Sequence, residues 1–271
     1  MSNRAPGYQG MRAPRETTGP ASTSDPGSRI PDPALSVVVP TYNERDSLPR
    51  LVSGLAEVGR GLAVEVIIVD DASPDGTGLV ADEMAKSGPV PMTVVHRSGK
   101  AGLASAVLAG AAAARGRVVT VMDADLSHPP ELVPSLVEAI RRGADISVAS
   151  RYVPGGGVGQ WPWSRRLVSR IATLTARIGL GLQVRDPLSG FFTVRREILT
   201  ERGYLGLGYK LLVEILARHP QARVAEIPYR FVDRQAGHSK LKTGEIWAFL
   251  KLLAHLKVAR IHRSNVETLK R

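Results

Sequence analysis

The chain has 271 residues, 43% hydrophobic and 23% charged, an ordinary globular composition that excludes collagen-like, coiled-coil and wholly disordered chains. It holds 36 Lys+Arg against 25 Asp+Glu, a formal net charge of +11, and no cysteine, which excludes a disulfide scaffold, thiolate metal sites and a thiol nucleophile. No stretch approaches the roughly 18–20 apolar residues of a membrane-spanning helix, and the opening MSNRAPGYQGMRAP lacks the apolar core of a signal peptide, so an intracellular soluble or peripheral protein is expected.

Residues 1–34 hold 6 Pro, 4 Gly and 7 Ser/Thr without apolar periodicity, and are expected to be a disordered tail. Order is expected from Leu35. LSVVV (35–39) is a β-branched run stopped by Pro40, as a buried parallel strand reads. Leu48, Leu51, Val52 and Leu55 fall at helical spacing. VEVIIV (64–69) is a second strand ending in Asp70-Asp71, and SPDGTG (73–78) is a turn into a helix ending near Lys86. MTVV (92–95) is a third strand, and the Ala-rich stretch 103–115 a helix. RVVTVM (117–122) is a fourth strand, followed by Asp123-Ala124-Asp125. A helix is predicted from Pro130 to Arg142, and a fifth strand at ISVAS (146–150). This alternation predicts an open, mostly parallel α/β sheet with ligands bound beyond the carboxyl ends of the strands. After Arg151 the pattern changes. Residues 164–180 read as an amphipathic helix preceded by Trp161 and Trp163, 223–232 as a late strand, and 243–262 as a final amphipathic helix. No internal repeat is visible.

Charge is segregated. Residues 35–150 carry 10 basic and 14 acidic residues; residues 151–271 carry 22 and 8. An acidic half suits a metal site, and a basic half suits an anionic surface or a phosphate group. No nucleic-acid recognition module is visible, so no nucleic-acid partner is expected.

Asp123 and Asp125 are the sharpest chemical signal. On a strand their side chains would share one face, and two hard carboxylates suit Mg²⁺ or Mn²⁺ completed by water and substrate phosphate. A solvated turn capping the next helix is the bland alternative. Asp70-Asp71 ends another strand. One of the pair suits a nucleoside hydroxyl or base, while capping through Ser73 and Asp75 is the structural alternative. No Gly-x-Gly-x-x-Gly follows the first strand, which weighs against a dehydrogenase. Arg97-Ser98-Gly99-Lys100-Ala101-Gly102 ahead of a helix is either a diphosphate cradle or an ordinary loop. Arg165 and Ser169 are i,i+4 neighbours suited to one phosphate group. Leu167, Ile171, Leu174 and Ile178 form an apolar stripe on that helix, and packing onto the sheet is its simplest use. Trp161 and Trp163 read equally as interface anchors or as core. Of the six histidines, His128 lies nearest the paired acids, yet His-Pro-Pro more simply starts a helix; His96, His219, His238, His255 and His262 form no ligand spacing.

VVVPTYNE (37–44), IIVDDASPDGT (67–77), VMDADLSHPPE (121–131), ASRYVPGG (149–156), WPWSRRLVSR (161–170) and RDPLSGFF (185–192) occur in this order. From about Leu35 to about Leu256 the chain thereby resembles family 2 glycosyltransferases of the GT-A fold, in particular the polyprenol (dolichol) phosphate mannosyltransferases. That resemblance implies a GT-A domain over 35–262 with C-terminal amphipathic helices, between the 1–34 tail and a basic tail at 263–271. It implies inverting transfer of mannose from a nucleotide-sugar donor, GDP-mannose, to a polyprenyl phosphate acceptor. Pro40, Tyr42, Glu44, Val69, Asp71 and Asp123 match donor-binding positions, and Asp123 and Asp125 match the metal-binding acids. Arg151, Arg165, Ser169 and Arg234 match phosphate-holding positions, with Asp125, Arg151 and Arg234 as the candidate catalytic residues. Ser127 stands where some relatives carry a glutamine ligand, and Ala101 and Ala104 replace residues usually glycine or polar in the donor loop. Many relatives also carry C-terminal transmembrane helices that this chain lacks.

The implied setting is the cytoplasmic face of a membrane, reached by the basic second half and by Ile246, Phe249, Leu250 and Leu253 on the last helix with Trp247 beside them, or through an integral-membrane partner. Packing of that helix on the sheet is its alternative. The rival functions are a UDP-glucose-dependent polyprenyl phosphate glucosyltransferase, a saccharide-directed family 2 enzyme, and a noncatalytic nucleotide- or RNA-binding module.

Overall fold

The computed structural model describes residues 35–206, 210–231 and 249–258. The 1–34 and 263–271 tails, Arg234, Ile246 and Trp247 lie outside the described residues. The five expected strands are present as β1 (Leu35–Thr41), β2 (Val64–Asp70), β3 (Met92–His96), β4 (Val118–Val121) and β5 (Ile146–Ser150). Between them run α1 (Leu48–Val58), α2 (Thr77–Ser87), α3 (Leu103–Ala113) and, after a 3₁₀ turn at Pro130–Leu132, α4 (Val133–Arg141). Beyond Arg151 come β6 (Gly157–Val158), α5 (Trp163–Leu180), β7 (Phe192–Arg195), α6 (Arg196–Thr200), α7 (Leu211–Arg218), β8 (Val224–Pro228) and β9 (Arg230–Phe231). Residues 249–258 are helical (α8).

Seven strands form one sheet in the order β3-β2-β1-β4-β7-β5-β8, and β6 and β9 form a separate two-stranded ribbon. Pairing in the large sheet is parallel except at β7, which runs antiparallel to both β4 and β5. The sheet is therefore mostly parallel, as expected, but β5 is not the neighbour of β4. Pro40 lies inside β1 rather than ending it. Its missing N–H falls on the β4 side, past the last β1–β4 pair at Val38 and Val121, so no ladder bond is lost.

Alternation along the strands builds two cores. Val37, Val39, Val66 and Ile68 face Leu48, Leu51, Leu55, Leu136 and Phe191 on one side of the sheet. Val38, Ile67 and Val69 face Val107, Ala111, Leu212 and Ile215 on the other. A third cluster joins Ala176 and Leu180 of α5, Val213 and Ala217 of α7, and Leu252, Leu253 and Leu256 of α8. The last helix thus packs on α5 and α7, not on the sheet. Leu253, expected to face a membrane, is buried, while Leu250 is exposed. No described helix is long and apolar enough to cross a membrane.

At the end of the sheet where β1 and β2 begin, Glu65 is 2% exposed. Its Oε1 accepts the Ser36 hydroxyl at 2.6 Å and the Arg115 N–H at 2.7 Å, and its Oε2 accepts Arg115 Nε at 2.9 Å. Burial alone would raise this carboxyl, but the bonds from Ser36 and Arg115 outweigh it and hold it below its ordinary value. Glu65→Gln should cost about 1–3 kcal/mol at neutral pH, by leaving buried donors unmatched. A depressed folded value means the stabilisation is complete above the unfolded glutamate value of about 4.3 and is lost as pH falls through the folded one. Urea midpoints of wild type and Glu65→Gln should therefore differ at pH 7 and converge toward about pH 3.

Candidate active site

Pro40 and Val69 lie near the ends of β1 and β2; Tyr42, Glu44, Asp71, Asp123, Asp125 and Arg151 lie in the loops after β1, β2, β4 and β5; Arg165 and Ser169 lie on α5. Three non-glycine residues in these loops have left-handed backbone: Asn43 at φ 61°, Ala72 at 55° and Leu126 at 62°. Each lies in the loop directly after β1, β2 or β4. Such conformations cost energy and gather at functional loops, and only the asparagine is a residue type enriched there.

At β1 and β2, Pro40 and Val69 are register partners, both buried, and form a floor. Tyr42 is exposed, with Lys100 Nζ 4.1 Å from its ring centroid. Glu44 receives the Ser47 hydroxyl on Oε2 at 2.7 Å, and its N–H donates to Thr77 Oγ1 at 2.9 Å. The two adjacent aspartates divide their roles. Asp70 caps the turn, accepting the Ser73 N–H and hydroxyl and the Thr41 hydroxyl. Asp71 faces Arg97, 3.0 Å from Nη1. Burial raises the Asp71 carboxyl despite the Arg97 and Lys100 charges. Arg97 also donates to Ser105 Oγ at 2.8 Å, so it links Asp71 to α3.

The paired acids are not on a strand. β4 ends at Val121, so Asp123 and Asp125 are set by the turn, and strand alternation does not apply. Asp125 is 9% exposed, and its Oδ1 accepts the Ser127 N–H at 3.0 Å and hydroxyl at 2.6 Å. Ser127 thus orients Asp125. Asp123 is the more open, with its side chain 30% exposed. Its N–H donates to His128 Nδ1 at 2.9 Å. Among the described residues no cluster of three or more His, Asp or Glu forms a metal centre. Two hard carboxylates fit Mg²⁺ or Mn²⁺, which commonly take one or two protein oxygens and complete their shell from water and substrate phosphate.

Of the phosphate-holding candidates among the described residues, Arg151 and Arg165 meet at Trp161, and Ser169 meets Tyr152. Arg151 is locked to Asp186: its N–H and Nε donate to Oδ2 at 3.0 and 2.8 Å, and Nη2 donates to Oδ1 at 2.8 Å. Burial disfavours the Arg151 charge, but Asp186 more than compensates and raises its basicity. Arg165 stacks over the Trp161 ring at 4.0 Å, and Arg151 lies 5.8 Å from the same ring. The Tyr152 hydroxyl donates to Ser169 Oγ at 2.8 Å. Trp161 is buried and Trp163 is 77% exposed, so the two tryptophans have different roles. Burial pushes the Tyr229 phenol up, which keeps it protonated beside this cluster. Sequence reasoning missed Asp186, Tyr152 and the platform role of Trp161. The signal was available in RDPLSGFF, whose Asp186 is wholly buried.

The apolar stripe of α5 does not pack on the sheet. Trp163, Leu167, Ile171, Leu174 and Ile178 are exposed, and the buried residues of α5 are Thr173, Ala176 and Leu180.

The family model for Glycosyl transferase family 2 matches residues 36–203. The chain is 43% identical over 224 residues to the dolichol-phosphate mannosyltransferase of Pyrococcus furiosus, a match covering 82% of this chain and 63% of that protein. It is 40% identical over 230 residues to the polyprenol monophosphomannose synthase of Mycolicibacterium smegmatis, covering 82% of this chain and 86% of that protein. Among solved structures, glucosyl-3-phosphoglycerate synthase from Mycobacterium tuberculosis, in complex with Mn²⁺, UDP and glucosyl-3-phosphoglycerate, aligns with a TM-score of 0.61 and 22% identity. That alignment covers 88% of this chain and 86% of the other, and the likeness carries the GT-A type of fold.

Asp186→Ala would leave the Arg151 guanidinium, whose side chain is 10% exposed, without its carboxylate. The expected loss is about 3–5 kcal/mol in urea unfolding, with a smaller loss for Asp186→Asn, which keeps the shape and part of the hydrogen bonding.

Proposed function

The chain belongs to glycosyl transferase family 2, and from that premise we propose that it moves mannose from GDP-mannose to a polyprenyl monophosphate at a membrane surface. The domain concerned is residues 35–262. The observation that carries the reading is the double character of α5. Arg165 and Ser169 on this helix join Arg151 around Trp161 and Tyr152, while Trp163, Leu167, Ile171, Leu174 and Ile178 are exposed on it. Arg166, Arg170 and Arg177 flank that stripe at helical spacing. An anionic head beside an apolar path is what a lipid phosphate presents, and an apolar stripe edged by arginine suits an anionic bilayer. The names of the two relatives support the mannosyl group and the lipid acceptor.

A phosphate monoester has its second pKa near 6, so it is mostly dianionic at neutral pH and needs no general base. Arg165 and Arg151 would orient it, with Nη1 as the Arg151 edge that Asp186 does not take. An acceptor oxygen bonds to the anomeric carbon as the bond to the nucleoside diphosphate breaks on the opposite face, giving inversion. Pro40, Tyr42, Glu44, Val69 and Asp71 would hold the nucleoside, and Arg234 would add to the phosphate contacts. Asp123 and Asp125 would hold Mg²⁺ or Mn²⁺, which supplies charge neutralisation for the leaving diphosphate.

The test is a panel of radiolabelled GDP-mannose and UDP-glucose with polyprenyl phosphate, followed by organic extraction. Extractable label from GDP-mannose alone is expected. Label from UDP-glucose alone would reassign the donor, and transfer only to a water-soluble saccharide would overturn the lipid acceptor. Asp125→Asn should lower turnover about a thousandfold, since several kcal/mol of charge stabilisation is at stake. Arg165→Ala should lower acceptor kcat/KM about ten- to hundredfold.

Wild type should sediment with anionic vesicles at low salt, less with neutral ones, and less near about 0.5 M NaCl. Ile171→Glu with Ile178→Glu should reduce that sedimentation without changing thermal stability, because both side chains are exposed. Unchanged sedimentation would remove α5 from the membrane contact, and no binding of wild type to either vesicle would point to an integral-membrane partner.

A further inference from the structure

We propose that His128 is a positioning residue for the diphosphate–metal site, fixing Asp123 through its backbone N–H, with Nε2 also 3.8 Å from the Asp123 carboxylate, rather than acting on the substrate. The inference rests on the reading that Asp123 and Asp125 hold the cation.

The argument begins with the backbone. β4 ends at Val121, and the Met122 N–H still reaches Val38 O on β1 at 3.2 Å. The next N–H, that of Asp123, points to the opposite side, where the β4–β7 register has ended at Val121 and Phe192. This part-buried amide finds its acceptor in His128 Nδ1 at 2.9 Å. A side chain five residues on thus continues the ladder by one rung, at the residue that carries the first carboxylate.

His128 is itself tightly held. It is 2% exposed and stacks on Phe191, with centroids 5.0 Å apart and 19° between planes. Tyr229 and Phe231 meet it edge-on, with centroids 6.1 and 6.2 Å away. Phe231 in turn packs edge-on against Trp161 at 5.2 Å, the ring over which Arg165 stacks. Gly190 closes the remaining side: a Cβ there would lie 3.4 Å from His128 Cε1 and 3.7 Å from Asp123 Oδ2. The imidazole is therefore a fixed acceptor in an aromatic wall that also carries the phosphate-holding arginine. An acceptor at Nδ1 places the neutral ring's proton on Nε2. Groups that orient a metal-binding residue without touching the ion typically change metal affinity 10–100-fold when removed.

Two variants separate positioning from packing. His128→Phe keeps a ring against Phe191 but removes the acceptor. His128→Asn loses the ring but places an amide oxygen near the position of Nδ1. The measurement is Mn²⁺ binding followed by electron paramagnetic resonance, with GDP and in parallel with UDP, alongside thermal melting of each protein. Expected are a Mn²⁺ dissociation constant raised about tenfold in His128→Phe and near wild type in His128→Asn. Thermal stability should not follow that order. At saturating Mn²⁺ and donor, His128→Phe should keep kcat within about tenfold, because the residue does not touch the reacting atoms. Mn²⁺ affinity that follows melting temperature, or that equals wild type in His128→Phe, would overturn the proposal. Absence of nucleotide-dependent Mn²⁺ binding in wild type would instead overturn the metal assignment of Asp123 and Asp125, and this inference with it.

Discussion

A guanidinium taken into a protein interior has to bring a carboxylate with it. The Arg151–Asp186 pair meets that requirement, and much of the site geometry depends on it. Arg151 follows β5, and Asp186 lies six residues before β7. Glu226 of β8 anchors the Asp186 end by accepting the N–H groups of Arg185 and Asp186 at 2.8 and 3.0 Å. One charged cluster therefore ties together β5, β8 and the turn that feeds β7. From that turn β7 enters antiparallel between β4 and β5. The ends of β4 and β5 are thereby set two strand spacings apart, about 9–10 Å. Asp123 and Asp125 follow β4 on one side of that interval, and Arg151 follows β5 on the other.

Segregated charge would have misdirected a reading based on counts alone. Several acids of the acidic half serve the scaffold. Glu65 answers to Ser36 and Arg115, and Asp75 accepts the Thr77 N–H and hydroxyl. Asp145 accepts from Arg195 and Arg223. The Arg223 N–H is the first of several contacts holding the Asp145 carboxyl below its ordinary value. Asp71, Asp123 and Asp125 differ in standing where the strands give out. Their position, not the net charge of their half, makes them candidates for a nucleotide and its cation.

The strands of the first half were legible because β-branched runs bounded by turn residues leave few alternatives; β1 to β4 differ from the expected bounds by one or two residues, and β5 matches them. β7 was not legible. Four residues, Phe192–Arg195, are too short for alternation to register, and no turn signal separates them from α6. α7 escaped for another reason. Leu211–Ala217 is buried throughout between two clusters, so it lacks a polar face to reveal a period. The expected residue types lie near the carboxyl ends of the strands, but their local geometry was not legible in the sequence. Asp123 and Asp125 were placed on a strand that stops before them, and the pairing of Arg97 with Asp71 was not foreseen. Left-handed Ala72 and Leu126 could not have been anticipated, because neither residue type favours that backbone.

The stripe on α5 shows what periodicity can and cannot establish. A period of 3.6 states which side chains share a face, but not what covers that face. Leu167, Ile171, Leu174 and Ile178 do share one, yet α7 and α8 pack against Ala176 and Leu180 on another. Small residues on the packed side allow close approach, and the large ones are left outward. The 18-residue helix is about 27 Å long, and Arg165 and Ser169 sit in its first two turns. From Ser169 to Ile178 the exposed face runs on for about 13 Å. In the proposed reaction, an acceptor held by its phosphate at Arg165 and Ser169 would therefore have an apolar path along the same helix. A rigid helix keeps that path in register with the head-group contacts, and a purely water-soluble acceptor would have no use for it.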